Sequence, residues 1–179
     1  QVFAGDPVAA HAKGVEFVRA TTLASLPEPV DAVITTSAGY PLDLTYYQAV
    51  KGVTAASHIV KQGGTILLAA ACQEGLGSPE FTKFVRRFSG PQACLAAMTQ
   101  EPVVIDQWQL EKLALVRQKA QVYFCTPGIP TEDRCYLWGP TFAEPQQAID
   151  TLCRELPRGA SVAVIPEGPY VFSQIANNA

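Results

Sequence analysis

The sequence predicts an α/β fold, a three-layer αβα domain with a mainly parallel sheet of about four strands. Apolar segments of strand length alternate with helical segments along most of the chain. The clearest unit is a strand at 30–36, a helix at 44–61 and a second strand at 65–71. That second strand is continuously apolar after Thr65, which is typical of a parallel strand covered on both faces. The three segments therefore form a βαβ unit.

The first helix begins at Asp6 and Pro7. Aspartate is a good N-cap, and proline suits the first helical position. An apolar stripe at helical spacing continues to about residue 20 and consists of Val8, Ala12, Val15 and Val18. The helix of the βαβ unit should end at residues 62–64, Gln-Gly-Gly, where glycine supplies a left-handed cap.

The second half of the chain continues the alternation. Helices are predicted at 79–88, 91–99 and 107–119, the last with Asp106 as its cap. A third strand follows at 122–125, a short extended piece at 136–138, a helix at 144–156 and a last strand at 160–165. The tail after Pro166 has few structural signals, and we expect it to be partly mobile.

Composition excludes several classes of function. The net charge is −3, and the only basic cluster is Lys83, Arg86 and Arg87, so a nucleic-acid-binding face is not indicated. The longest apolar run, 65–72, falls well short of the roughly 18 residues of a membrane span. Five scattered cysteines without a C-x-x-C pair indicate neither a disulfide framework nor a zinc site, so we expect a cytoplasmic protein.

Length and the first residue set an expectation for domain organisation. The 179 residues suffice for one domain with its own core, so we expect a single α/β domain over 1–179. The chain begins with Gln1 and shows no leader. We therefore expect a domain cut from a longer protein, with a partner domain missing.

Common catalytic motifs are absent. The sequence has no G-x-x-x-x-G-K-[ST] loop, and Gly75 and Gly77 lack the third glycine of G-x-G-x-x-G. Those two glycines permit close approach of a ligand to the backbone, but simple turn residues are an equally good interpretation. His11 and His58 alone cannot form a metal site, so no metal ligands are predicted.

The helix at 44–61 carries the strongest candidate site. Tyr47, Gln48 and Lys51 can meet around one ligand, because residues three and four apart are neighbours on a helix. Free N–H groups and the dipole at the helix N-terminus would favour a carboxylate or a phosphate there. The alternative is an ordinary solvated helix face. Trp108 likewise suits either stacking on a planar ligand or packing in the core.

Longer motifs resemble the C-terminal domain of the nickel-dependent lactate racemase family. The resemblance runs over nearly the whole chain and is carried by residues 2–6 (Val-Phe-Ala-Gly-Asp), 39–43 (Gly-Tyr-Pro-Leu-Asp), 47–52 (Tyr-Gln-Ala-Val-Lys-Gly), the glycines before 65–71, the Glu74-Gly75 loop and 106–108 (Asp-Gln-Trp). The Tyr-Gln-x-x-Lys piece in this context is the most specific part.

The resemblance implies racemisation or epimerisation of α-hydroxy acids. In that family a nickel pincer nucleotide (pyridinium-3,5-bisthiocarboxylate mononucleotide nickel) lies between two domains and exchanges a hydride with the substrate. Lys51 and Gln48 would be the catalytic residues of this chain. Substrate or cofactor binding would fall to Tyr47, Trp108, Tyr40 and Gly75. The N-terminal domain of the same protein would anchor the cofactor and the nickel.

The sequence is also compatible with two other functions. One is a non-catalytic α/β module that binds a ligand or a partner. The other is a related hydroxy-acid epimerase with a different substrate. Neither a membrane nor a nucleic acid is an expected partner.

Overall fold

The protein is described here by a computed structural model, which covers residues 1–176. Its helices are α1 (Pro7–Thr22), α2 (Tyr46–Ser57), α3 (Pro79–Val85), α4 (Pro91–Met98), α5 (Gln107–Lys119) and α6 (Pro145–Glu155). Its strands are β1 (Leu23–Leu26), β2 (Val30–Thr36), β3 (Val60–Ala69), β4 (Gln121–Cys125), β5 (Thr141–Phe142), β6 (Val162–Ile165) and β7 (Phe172–Ile175). Short 3₁₀ helices span Thr131–Leu137 and Gly168–Tyr170.

Five of the strands form an all-parallel sheet flanked by helices. The strand order is β5-β4-β3-β2-β6, so β3 lies at the centre. The α/β class and the parallel sheet predicted from sequence are confirmed, and the sheet has five strands rather than about four. The extra strand is β5, whose two residues pair with the end of β4 and give no sequence signal.

Helices cover both faces of this sheet. Val33 and Leu68 belong to the core that contains the buried sides of α2 and α5. Neighbouring Leu67 points the other way and packs with Ala148 and Leu152 of α6. Because successive strand residues face opposite sides, a strand buried on both faces reads as a continuous apolar run.

The predicted end of α2 was wrong. The helix ends at Ser57 rather than at residue 61, and Val60 already pairs with Val30 in the sheet. The residues between Val60 and Thr65 form a bulge, where the pairing of β2 and β3 changes register. Gly64 lies so close to β2 that a β-carbon there would be 2.7 Å from the Asp31 carbonyl oxygen. The glycines thus serve a strand irregularity and do not cap a helix.

One prediction for the second half was also wrong, and the tail contains elements that the sequence did not indicate. Residues 136–138 are not extended, because the 3₁₀ helix continues to Leu137 and Trp138 is left-handed (φ 60°). The tail after Pro166 contains secondary structure within the described residues. It forms the second 3₁₀ helix and β7, which pairs in parallel with β1. The predicted tail also includes residues 177–179, which lie outside the described part.

The first helix begins as predicted and is unusually exposed. Asp6 Oδ1 accepts the N–H of Ala9 at 2.9 Å, and Pro7 is the first helical residue. None of the residues of α1 is buried, and Val8, Val15 and Phe17 are largely exposed.

No helix within residues 1–176 is long and apolar enough to cross a membrane. The remaining helix ends differ from the predicted ones by a few residues.

Candidate active site

The N-terminus of α2 is held by a loop that folds back from β3. The N–H groups of Tyr46 and Tyr47 donate to the carbonyl oxygens of Gly75 and Leu76 at 2.9 and 3.0 Å. The N–H of Gln48 donates to Thr45 Oγ1 at 3.4 Å. The expectation of free N–H groups for an anion was therefore wrong, because these donors already have protein partners. Any anion affinity here must come from side chains.

Gly75 has a structural place in this arrangement. Its φ of 72° lies in the left-handed region, and its carbonyl oxygen accepts the first N–H of α2. The same loop is joined to the loop after β2, since Asp43 Oδ2 accepts the N–H of Ala71 at 2.9 Å and its carbonyl oxygen accepts the N–H of Cys72 at 2.8 Å. These bonds fix the start of α2 against the ends of two parallel strands.

Tyr47 and Trp108 form an aromatic wall beside this helix end. Their ring centroids lie 5.9 Å apart at 84°, and the Tyr47 ring also meets Phe81 edge to face at 5.1 Å. Trp108 remains 47% exposed, so it is not a core residue and one part of its surface is open to a ligand. Edge-to-face packing fixes the orientation of both rings.

A neighbouring carboxylate affects the pKa of Tyr47. Burial raises the pKa of Tyr47, and the carboxylate of Asp106 raises it further. The phenol therefore stays protonated at neutral pH and remains a hydrogen-bond donor. The sequence predicts Asp106 as the cap of α5, but its side chain makes no capping hydrogen bond. The residue adopts a left-handed conformation (φ 67°), and its Oδ2 accepts a bond from Ser78 Oγ at 3.1 Å.

Lys51 and Gln48 form a polar pair on the same side of α2. Lys51 Nζ donates to Gln48 Oε1 at 2.5 Å, and both side chains are half-buried. With its oxygen engaged by the ammonium group, the Gln48 amide has its NH₂ as its remaining donor. An ammonium group and an amide NH₂ side by side suit a carboxylate ligand. The structure thus brings Tyr47, Gln48, Lys51 and Trp108 together.

Tyr40 makes no hydrogen bond or aromatic contact with these side chains within residues 1–176. It sits in the loop after β2 and is 82% exposed. Among residues 1–176, no group of three or more histidine, cysteine, aspartate or glutamate side chains is arranged to hold a metal ion.

Three residues near the wall were not singled out from sequence as site residues. Gln109 and Lys112 follow Trp108 on α5, and His58 is the residue directly after α2; together they line a groove between the two helices. The spacing of Trp108 and Lys112, one helical turn apart, was the available signal. It could not be used without knowing that α5 packs beside α2.

The sequence matches a family model as well. Residues 26–172 match the model described as the lactate racemase C-terminal domain. The chain belongs to this lactate racemase C-terminal domain family. The match contains all four residues of the site and excludes α1 and most of β1 and β7.

Individual lactate racemases agree with this membership. The chain is 36% identical over 127 residues to the lactate racemase of Thermoanaerobacterium thermosaccharolyticum, covering 69% of this chain and 30% of that protein. It is 32% identical over 170 residues to the lactate racemase of Lactiplantibacillus plantarum, covering 93% of this chain and 40% of that protein. The chain thus spans less than half the length of the lactate racemases it matches.

Solved structures share the fold. The lactate racemase apoprotein from T. thermosaccharolyticum superposes with a TM-score of 0.80 at 29% identity, covering 92% of this chain and 40% of that one. A Thermotoga maritima protein superposes with a TM-score of 0.62 at 13% identity, over 94% of this chain and 42% of its own. At that identity the second similarity concerns the fold alone.

Proposed function

We propose that this chain is the C-terminal domain of an enzyme that racemises or epimerises α-hydroxy acids by reversible hydride transfer to a nickel pincer nucleotide. The observation that carries the proposal is the Lys51–Gln48 pair beside the Tyr47–Trp108 wall at one helix end. Family membership supports it independently. In this proposal residues 1–179 form one domain, and the N-terminal domain of the same protein completes the active site.

The residues present fit one side of such a cofactor. A pyridinium ring is planar, and the exposed part of Trp108 offers a flat apolar surface for stacking. When bound, the cofactor would supply the hydride acceptor for the substrate α-carbon. Residues 1–176 contain no cluster of three or more metal-ligating side chains, and in this proposal the N-terminal domain anchors the nickel.

The side chains of this chain would bind and orient the substrate. Lys51 would pair with the carboxylate of the hydroxy acid, and the Gln48 amide would donate a second bond to it. A charge-assisted contact of this kind contributes about 1.5–3 kcal/mol. The protonated Tyr47 would donate a hydrogen bond at the edge of the ring. Gly75 would act by holding α2 in place, and Tyr40 would contact the substrate or cofactor from its exposed loop.

Proton transfer would depend on the other domain. Oxidation of a hydroxyl group requires a general base for its proton, and histidine is the most common one. His11 lies on α1 and His58 at the far end of α2, so neither is placed beside the Lys51–Gln48 pair. We therefore expect this chain alone to be inactive.

The test uses the natural full-length protein carrying its cofactor. Single enantiomers of several hydroxy acids, each deuterated at the α-carbon, are incubated with it in ordinary water. We expect racemisation with the label retained, because a hydride that returns to carbon does not exchange with solvent. Loss of the label during racemisation would contradict hydride transfer. Binding of hydroxy acids without any racemisation would instead favour a non-catalytic ligand-binding module.

A further inference from the structure

A groove runs between α2 and α5 away from the Tyr47–Trp108 contact. Its volume is about 270 Å³, and the second 3₁₀ helix and the start of β7 close one side. Its lining includes the side chains of Lys51, His58, Trp108, Gln109, Lys112 and Phe172. The groove therefore begins at the candidate active site and extends beyond it.

The two helices run parallel, which sets the height of each side chain in the groove. Near their N-termini, Tyr47 of α2 meets Trp108 of α5. Near their C-termini, Lys119 Nζ donates to the Ser57 carbonyl oxygen at 2.7 Å. Lys51 and Lys112 each follow the aromatic contact by four positions, one turn of helix. The two lysines therefore lie at the same level of the groove.

Positive charge in the groove has no negative counterpart. None of the lining residues is acidic. Within residues 1–176, the Lys112 side chain takes part in no ion pair or hydrogen bond. Burial lowers the pKa of His58, and the ammonium groups of Lys119 and Lys112 lower it further. An anion would neutralise this field.

Gln109 supplies an independent sign of a ligand. It lines the groove, is 1% exposed, and within the described chain neither atom of its side-chain amide has a hydrogen-bond partner. A buried amide without partners is unfavourable, and such groups are rare in folded proteins. Its amide atoms are covered by protein, so a polar ligand in the groove would satisfy them after a rotation of the Gln109 side chain.

We propose that the groove binds the second anionic group, a carboxylate or a phosphate, of a hydroxy acid that carries two. This inference rests on the proposed function, which places the first carboxylate at Lys51. Lys112 then pairs with the second group from the opposite wall, and Gln109 donates its amide N–H. Phe172 covers the carbon chain between the two charges. An acid of lactate size, with one charge, leaves Lys112 unpaired.

The first experiment compares substrates of equal length in the cofactor-loaded full-length protein. We expect kcat/KM for 2-hydroxyglutarate or 3-phosphoglycerate to exceed that for 2-hydroxypentanoate by about tenfold or more, since one charge-assisted contact is gained. The first substrate carries a second carboxylate and the other a phosphate, so the pair distinguishes the two groups, and a preference for either over 2-hydroxypentanoate supports the groove. Lys112→Gln should abolish the preference. Lys83→Gln, the same charge change at an exposed position of α3, should preserve it.

The second experiment measures binding without turnover. Glutarate, which lacks the hydroxyl group, should bind the full-length protein about tenfold more tightly than pentanoate by calorimetry, and Lys112→Gln should remove the difference. Gln109→Leu should weaken glutarate binding while leaving the melting temperature unchanged or higher. If Gln109 is only structural, the substitution would lower the melting temperature and leave glutarate binding unchanged.

The outcomes separate this inference from the proposed function. Suppose that kcat/KM is the same for 2-hydroxypentanoate as for the substrates with a second anionic group, and that Lys112→Gln has no effect. The proposed binding in the groove would then be wrong, while the proposed function would stand. If no hydroxy acid is racemised, the proposed function fails and the binding data decide the groove. Glutarate binding that depends on Lys112 would then support the dianion site, and equal binding of glutarate and pentanoate would overturn it.

Discussion

Gly168 lies directly against Gly52 of α2, so that a β-carbon on Gly168 would be 2.9 Å from the Gly52 α-carbon. The same β-carbon would be 2.6 Å from the Thr36 carbonyl oxygen. The second 3₁₀ helix therefore sits directly on α2 and the end of β2. This contact places the wall of the groove.

The close approach makes Gly52 sensitive to substitution. In Gly52→Ala the new β-carbon would lie 2.5 Å from the Thr36 carbonyl oxygen, which is backbone and cannot move aside freely. We expect a loss of about 1–3 kcal/mol in the free energy of unfolding, as for other overpacked positions. Urea denaturation measures the change.

Gly14→Ala is the matched control in α1. Its β-carbon would meet only the Phe3 side chain at 3.8 Å, an ordinary contact. Because alanine is a better helix former than glycine, stability should rise by up to about 1 kcal/mol. Equal effects of the two substitutions would show that helix propensity alone decides and that the packing at Gly52 is unimportant.

Lys51→Ala tests the candidate site. Lys51 is half-buried and lies off the core side of α2, so the variant should fold normally. Turnover of hydroxy acids by the full-length protein should fall about tenfold or more, equivalent to about 1.4 kcal/mol. Lys83→Ala, at an exposed position of α3, should keep its activity. Normal turnover by Lys51→Ala would remove Lys51 from the site.

Asp31 gives the fold an acid-sensitive contribution. Bonds from Lys61, and then from the backbone and side chain of Ser161, lower the pKa of Asp31 to about 2. A carboxyl group with a lowered pKa in the folded state stabilises it above the unfolded pKa, near 4. That stabilisation disappears as the pH falls from about 4 to about 2.

Asp31→Asn isolates this effect. The variant should be less stable than the wild type at neutral pH, and the difference should shrink across the same acidic interval. Free energies of unfolding measured at several pH values follow it. A difference that does not change with pH would mean that the bonds to Asp31 do not depend on its charge.

Nickel binding tests the division of labour between domains. Because residues 1–176 contain no three-ligand group, the 179-residue chain alone should not retain nickel stoichiometrically. Metal analysis after dialysis of untagged protein provides the measurement. One nickel per chain retained at that stage would place a metal site within this chain and would contradict the proposed anchoring elsewhere.

Local sequence signals were sufficient for the main sheet and its helices. The run at Ile66, Leu67 and Leu68 had to be a strand covered on both sides, because no exposed face remains in such a run. The helical face with Tyr47 and Lys51 was also visible, since helix geometry alone groups residues three and four apart. Family motifs added Trp108.

Long-range contacts were beyond the sequence. The donors at the start of α2 are occupied because a distant loop presents Gly75 and Leu76 to them, and no local pattern encodes that return. Lys112 could not be recognised as a groove residue from the sequence, because its position opposite Lys51 follows from the parallel packing of α2 and α5. The short strands β1 and β7 are specified mainly by each other.

The pairing of β1 with β7 joins segments 149 positions apart, as the bond between Gln174 and Ser25 illustrates. Closing so long a loop is entropically unfavourable, so this pair should form late in folding, after the central sheet. The 3₁₀ helix that walls the groove immediately precedes β7. The groove would therefore be completed in the last stage of folding. Removal of the residues up to Leu26, which include β1, would deprive that wall of its support.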